Sequence, residues 1–80
     1  MNNIETYNQA FIDALSITAE QLTDDLTYQT ITEWDSVGHM ALVSALEEAF
    51  DIMMDTDDII DFSSYEKGKE ILAKYNILFD

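Results

Sequence analysis

Hydrophobic residues at the start of the chain recur one helical turn apart. Ile4, Tyr7, Phe11 and Leu15 share one side of such a helix, with polar residues on the other. This pattern predicts an amphipathic helix from about Ile4 to Leu15. Residues 16–35 are mostly polar, with isolated apolar residues at Leu22, Leu26, Tyr28 and Ile31. We expect a long loop held to the fold by single side chains, and loops of this length usually carry function.

A second helical period follows Ser36 and continues to Phe50. Its apolar residues cover more than half of the helix circumference, so one side is expected to face the core and one stripe to stay exposed. A short helix is then predicted from Thr56 to Asp61, with Thr56 as its cap.

The last helix opens at Ser63, which has the spacing of a capping box with Glu66, and continues to Tyr75. Gly68 weakens this helix by about 1 kcal/mol relative to Ala unless close packing requires it. The pattern as a whole predicts an all-α fold of three main helices plus one short helix.

Composition limits what this bundle can do. The chain has 80 residues, 48% of them hydrophobic, which suffices for one domain over residues 1–80 but not for an enclosed active site. Its 17 acidic residues and 3 lysines give a net charge of −14, which argues against nucleic acid as a partner. Cysteine is absent, and nothing indicates export or a membrane span. We expect a cytoplasmic monomer.

Two kinds of chemistry are poorly supported by the sequence. Asp35, Ser36 and His39 contain the side chains of a hydrolase triad, but they would share one exposed helical turn without oxyanion donors. The acids between Asp51 and Asp61 lack the D-x-D-x-D-G loop and terminal Glu of a calcium site. We expect neither catalysis nor a specific metal site.

Ser36 has two interpretations from its position alone. Serine is a preferred N-cap residue, so Ser36 can simply cap the second helix. A phosphate joined to its oxygen would also be favoured there, because the N-terminus of a helix carries partial positive charge. The position suits a phosphodiester but leaves both interpretations open.

A longer pattern around Ser36 resembles the acyl carrier proteins. Asp35-Ser36-Val37, followed by ALVSALEEAFD over residues 41–51, is similar to the modification site and second helix of that family. The likeness covers nearly the whole chain, because apolar residues stand where the family has its core: Phe11, Leu15, Leu22, Tyr28, Phe62, Tyr65 and Leu72. It implies an acyl-carrier-like bundle with the long loop between its first two helices.

The resemblance also implies a function. In that family the serine receives 4'-phosphopantetheine from coenzyme A through a Mg²⁺-dependent phosphopantetheinyl transferase, and the arm's thiol carries acyl or aminoacyl groups. Ser36 would be the attachment site, and Asp35 would help to present it to the transferase. Such a carrier is not an enzyme. It delivers thioester-linked intermediates to loading and acyl-transfer enzymes with basic docking patches.

Four residues of the second helix are candidates for docking those enzymes. Val37 and Met40 would form the apolar part of the surface, and Glu47 and Glu48 the acidic part. Met40 could equally belong to the core, and either glutamate could be ordinary solvated surface.

Several departures from the family favour a specialised pathway over primary fatty-acid synthesis. Gly38 and Ala41 stand where fatty-acid carriers bear acids, and Asp55 replaces a usual proline. Polyketide, nonribosomal-peptide, aminoacyl and surface-polysaccharide assembly are the candidates. Trp34 is expected to anchor the loop on the bundle, and His39 to lie at the surface or face a partner.

A different class of protein is also compatible with the sequence. The chain could be an unmodified acidic helical adaptor that binds a basic protein partner and uses Ser36 only as a helix cap. Replacing the Ser36 hydroxyl separates the two hypotheses, because only a carrier would lose its loading.

Overall fold

The computed structural model describes residues 2–79 of the chain. Its elements in chain order are α1 (Asn3–Leu15), a 3₁₀ turn (Ala19–Gln21), α2 (Ser36–Phe50), α3 (Thr56–Asp61) and α4 (Tyr65–Ala73). Over the same residues the only strand-like pairing is an isolated antiparallel bridge between Thr27 and Ser64. The predicted all-α fold with three main helices and one short helix is confirmed. None of the helices described combines the length and apolar character needed to cross a membrane.

Helix α1 begins one residue before the predicted start because Asn2 caps it. The Asn2 side chain accepts a hydrogen bond from the backbone N–H of Glu5 at 3.0 Å, which satisfies one of the free donors at a helix start. The helix ends at Leu15, as predicted, because Ser16 adopts a left-handed conformation. The buried side of α1 carries Tyr7, Ala10, Phe11 and Leu15.

Aromatic rings form the centre of the core between the helices. The Phe11 ring lies 5.5 Å from Trp34 and 5.4 Å from Tyr65, centroid to centroid, both in edge-to-face geometry. Of the seven core residues suggested by the family resemblance, five are buried (Phe11, Leu15, Phe62, Tyr65 and Leu72), while Leu22 and Tyr28 are half-buried.

The loop over residues 16–35 is held in place by side chains and backbone together. Leu26 and Trp34 are buried, as expected of anchors. The Tyr28 N–H also donates to the Ser63 carbonyl at 2.8 Å, and the Tyr65 N–H donates to the Leu26 carbonyl at 2.9 Å. The loop is therefore tied to the start of α4, and its 3₁₀ turn is a feature that periodicity did not predict.

The predicted caps of α3 and α4 are wrong by one residue. Asp55, rather than Thr56, occupies the N-cap position of α3, without a side-chain cap bond. Ser64, rather than Ser63, caps α4, and its hydroxyl accepts from the Lys67 N–H at 2.9 Å. The reason in α4 is tertiary: the Ser63 carbonyl bonds to Tyr28 of the loop and Ser64 is extended and paired with Thr27, so the helix begins only after them.

Candidate functional site

Helix α2 is capped by Asp35 and not by Ser36. The Asp35 backbone is extended, and its Oδ1 accepts a hydrogen bond from the Gly38 N–H at 2.8 Å. Ser36 is the first residue within the helix. The interpretation of Ser36 as the helix cap is therefore wrong, and its hydroxyl is not required to start α2.

The Ser36 hydroxyl is exposed at the positive end of a 15-residue helix. Within residues 2–79 its one hydrogen-bond partner is the Tyr28 hydroxyl, at 3.0 Å, and either oxygen can donate. The first N–H groups of a helix have no partner within the helix, so an anion joined to this oxygen would be stabilised there.

An apolar groove of about 350 Å³ opens beside Ser36. Its walls come from the loop, from α2 and from α3, and include Tyr28, His39, Met40, Ile59, Ile60 and Phe62. The groove exists because α3 lies alongside the first turns of α2. Helical periodicity could not predict this placement, since it depends on contacts between distant segments.

His39 joins three parts of the structure: it is half-buried and lines the groove, where the sequence predicted a surface or partner-facing residue. Its Nδ1 accepts a hydrogen bond from the Trp34 indole N–H at 2.9 Å, and its Nε2 lies 2.8 Å from the Ile59 carbonyl. An indole can only donate and a carbonyl can only accept, so the imidazole is neutral with its proton on Nε2. Trp34 is fully buried, which confirms that it anchors the loop.

Gly38 is required by the close approach of the loop to α2. A Cβ at this position would lie 3.3 Å from the Glu33 carbonyl carbon and closer still to its oxygen, which is backbone and cannot move aside easily. The Leu15 side chain would be only 3.1 Å away. An acidic side chain at this position would therefore not fit.

The four predicted docking residues all lie on α2 but differ in exposure and in bonding. Val37 and Met40 are 79% and 53% exposed, so the alternative assignment of Met40 to the core is wrong. Glu47 is half-buried, and its Oε2 accepts from the Met54 N–H at 2.9 Å, which holds the connection between α2 and α3. Glu48 is exposed and lines a shallow depression towards α1.

One acid of the cluster before α4 has a structural role that the sequence did not reveal. Asp58 is buried, and its carboxylate accepts hydrogen bonds from the Lys74 ammonium and from the Tyr75 hydroxyl, the latter at 2.6 Å. These bonds hold the pKa of Asp58 below its ordinary value. They attach α3, and with it one wall of the groove, to the end of α4.

No protein-family model, no curated protein and no solved structure matches this chain. The function is therefore inferred from the chemistry of its own residues.

Proposed function

We propose that this chain is a carrier protein with an acyl-carrier-like bundle, and that it bears 4'-phosphopantetheine on Ser36. The main support is the state of that serine. Its hydroxyl is exposed at the start of α2, is not needed as a cap, and lies beside an apolar groove. Asp35 fixes this geometry through its bond to Gly38, which gives it a physical role in presenting Ser36.

The residues around Ser36 fit a phosphodiester. Ser36 Oγ would attack the phosphorus of coenzyme A that carries the pantetheine arm and lose its proton, while the pyrophosphate bond breaks and adenosine 3',5'-bisphosphate leaves. The helix N-terminus would stabilise the charge of the phosphodiester that remains. The Tyr28 hydroxyl, 3.0 Å from Oγ, is a side-chain donor within reach of a phosphate oxygen. When bound, the pantetheine arm supplies a thiol for thioester formation, and the chain itself catalyses nothing.

The surface around the groove suits brief contacts with several enzymes. Val37, Met40 and Ile60 are exposed apolar side chains near Ser36, and the net charge of −14 would raise association rates with basic surfaces. We infer that the partners are a phosphopantetheinyl transferase and loading or acyl-transfer enzymes of a specialised pathway, met in the cytoplasm by a monomeric carrier of acyl or aminoacyl groups.

Intact mass spectrometry tests the modification directly. The apo-protein is incubated with coenzyme A, Mg²⁺ and a broad-specificity phosphopantetheinyl transferase, beside Ser36→Ala and Ser44→Ala variants. Ser44 is a matched control because it is another exposed serine of α2. We expect one phosphopantetheine adduct on the wild type and on Ser44→Ala, and none on Ser36→Ala.

Absence of an adduct on the folded wild type with several transferases would contradict the proposal. The unmodified acidic adaptor would then be the better hypothesis, although its use of Ser36 as a cap is already excluded by Asp35. An adduct that persists in Ser36→Ala would place the modification elsewhere.

Glu48 offers a clean test of electrostatic docking. Glu48→Lys should raise the KM of the transferase for the carrier, and Glu48→Gln should raise it less, because reversal of the charge adds repulsion from a basic patch. Glu47 is unsuitable for this test, since its bond to Met54 makes any effect structural. An unchanged KM in both Glu48 variants would remove this residue from the docking surface.

A further inference from the structure

Both nitrogens of the His39 imidazole are hydrogen-bonded. It lies nearly parallel to the Trp34 indole, with ring centroids 6.2 Å apart and planes at 18°. The rings of Tyr28 and Phe62 meet it edge to face, at 5.4 Å and 6.0 Å. Together with the bonds to Trp34 Nε1 and the Ile59 carbonyl, these contacts make His39 the link between the loop, α2 and α3.

We propose that His39 is a proton-sensitive latch that holds α3 against α2 while it is neutral. Protonation would place a hydrogen on Nδ1, where it faces the Trp34 N–H at a nitrogen separation of 2.9 Å. Two donors cannot share a hydrogen bond, and the fully buried indole would lose its partner. The ring can relieve this conflict only by leaving its place between Trp34 and Ile59, and α3 then loses its attachment to α2.

Helix α3 is suited to respond to this change. It spans only Thr56–Asp61, and a helix this short has little stability apart from its tertiary contacts. Its opposite side stays bound through Asp58 to Lys74 and Tyr75. Loss of the Ile59 attachment therefore frees one side of α3 and widens the groove beside Ser36, which Ile59 and Ile60 line.

The other titratable groups of the loop, the start of α2 and α3 bond to other residues or border other parts of the surface. In the loop, the Tyr28 hydroxyl bonds to Ser36. At the start of α2, the Asp35 carboxylate accepts from Gly38. On α3, Asp58 bonds to Lys74, and Asp57 and Asp61 border a depression on the side of α3 that Lys74 also borders. Within residues 2–79 no carboxylate forms an ion pair or hydrogen bond with the imidazole.

Nuclear magnetic resonance tests the latch on the whole chain without any ligand, so its outcome is independent of the carrier proposal. The imidazole nitrogens, the single indole N–H and the amide exchange of Ile59 and Phe62 are followed while the pH is lowered from about 7.5 to about 5.5. The Ile59 N–H donates to the Asp55 carbonyl and the Phe62 N–H donates to the Asp58 carbonyl, so these two bonds close the first and last turns of α3.

We expect the indole N–H signal to move as the imidazole becomes protonated. Exchange protection of the two α3 amides, corrected for the intrinsic pH dependence of exchange, should fall about tenfold. The matched control is His39→Gln, whose amide can accept from the indole and donate to the carbonyl but cannot titrate. This variant should keep its α3 protection over the same interval.

Three results would overturn the latch. The first is an imidazole that stays neutral throughout the interval. The second is a protonated imidazole with the indole signal and α3 protection unchanged. The third is an equal loss of protection in His39→Gln, which would assign the effect to the carboxylates. The wild-type measurement decides the first two outcomes even if the variant folds poorly.

Discussion

Gly68→Ala is a substitution for which helix propensity and tertiary packing predict opposite changes in stability. Because Gly68 lies in the middle of a helix, replacing it with alanine should stabilise that helix. The structure instead places it against Phe62 and Tyr7, both almost fully buried. A Cβ would lie 2.8 Å from Phe62 Cε1, and closer still to Phe62 Cζ and the Tyr7 hydroxyl.

The expected magnitude follows from three effects. Displacement of two packed rings costs about 1–3 kcal/mol, and the helix gains about 1 kcal/mol from alanine. The Tyr7 hydroxyl donates to the Tyr65 carbonyl at 2.6 Å, and a shift that breaks this buried bond costs about 1–3 kcal/mol more. We expect a net loss of about 3 kcal/mol, a large part of the roughly 4–12 kcal/mol available to a domain of this size.

Urea unfolding followed by circular dichroism measures this loss. Glu70 provides the control, because it is exposed on the same helix α4: the difference between Glu70→Ala and Glu70→Gly gives the intrinsic alanine-glycine term. We expect Gly68→Ala to lower the free energy of unfolding, and the loss due to packing is the measured loss plus this intrinsic gain. A rise in stability of about 1 kcal/mol, as at an exposed helix position, would refute the close packing of Gly68.

Three further outcomes follow from the same contacts. In urea unfolding, Asp35→Ala should lose about 1 kcal/mol because it removes the cap of α2, and Ser36→Ala should lose less. Because hydrogen bonds lower the pKa of Asp58, its stabilising effect is complete above the unfolded value and lost as pH falls. The deficit of Asp58→Asn in thermal unfolding should therefore shrink below about pH 4, and a constant deficit would contradict this. Burial raises the pKa of Tyr7, so only the unfolded chain ionises this group above about pH 10; stability should fall there, and less in Tyr7→Phe.

Local patterns in the sequence were sufficient to predict where the helices form. The apolar spacing in α1 and α2, and the boundaries of α3, could be predicted because helical periodicity depends on neighbours within a few turns. The exposed Ser36 at the start of α2 was also predictable for this reason. Trp34 was identified as an anchor because a large apolar ring in a polar loop gains most from burial.

Only the tertiary structure decided the roles of the polar residues around those helices. Whether Asp35 or Ser36 caps α2 depends on backbone geometry that both residue types can adopt. His39 and Glu47 are spaced like surface residues, yet each bonds to a segment that folding brings close, at Ile59 and Met54. The sequence by itself therefore determined where the helices form, because that follows from local patterns. The groove and the bonds of His39 and Glu47 depend on contacts between segments separated along the chain, which periodicity does not encode.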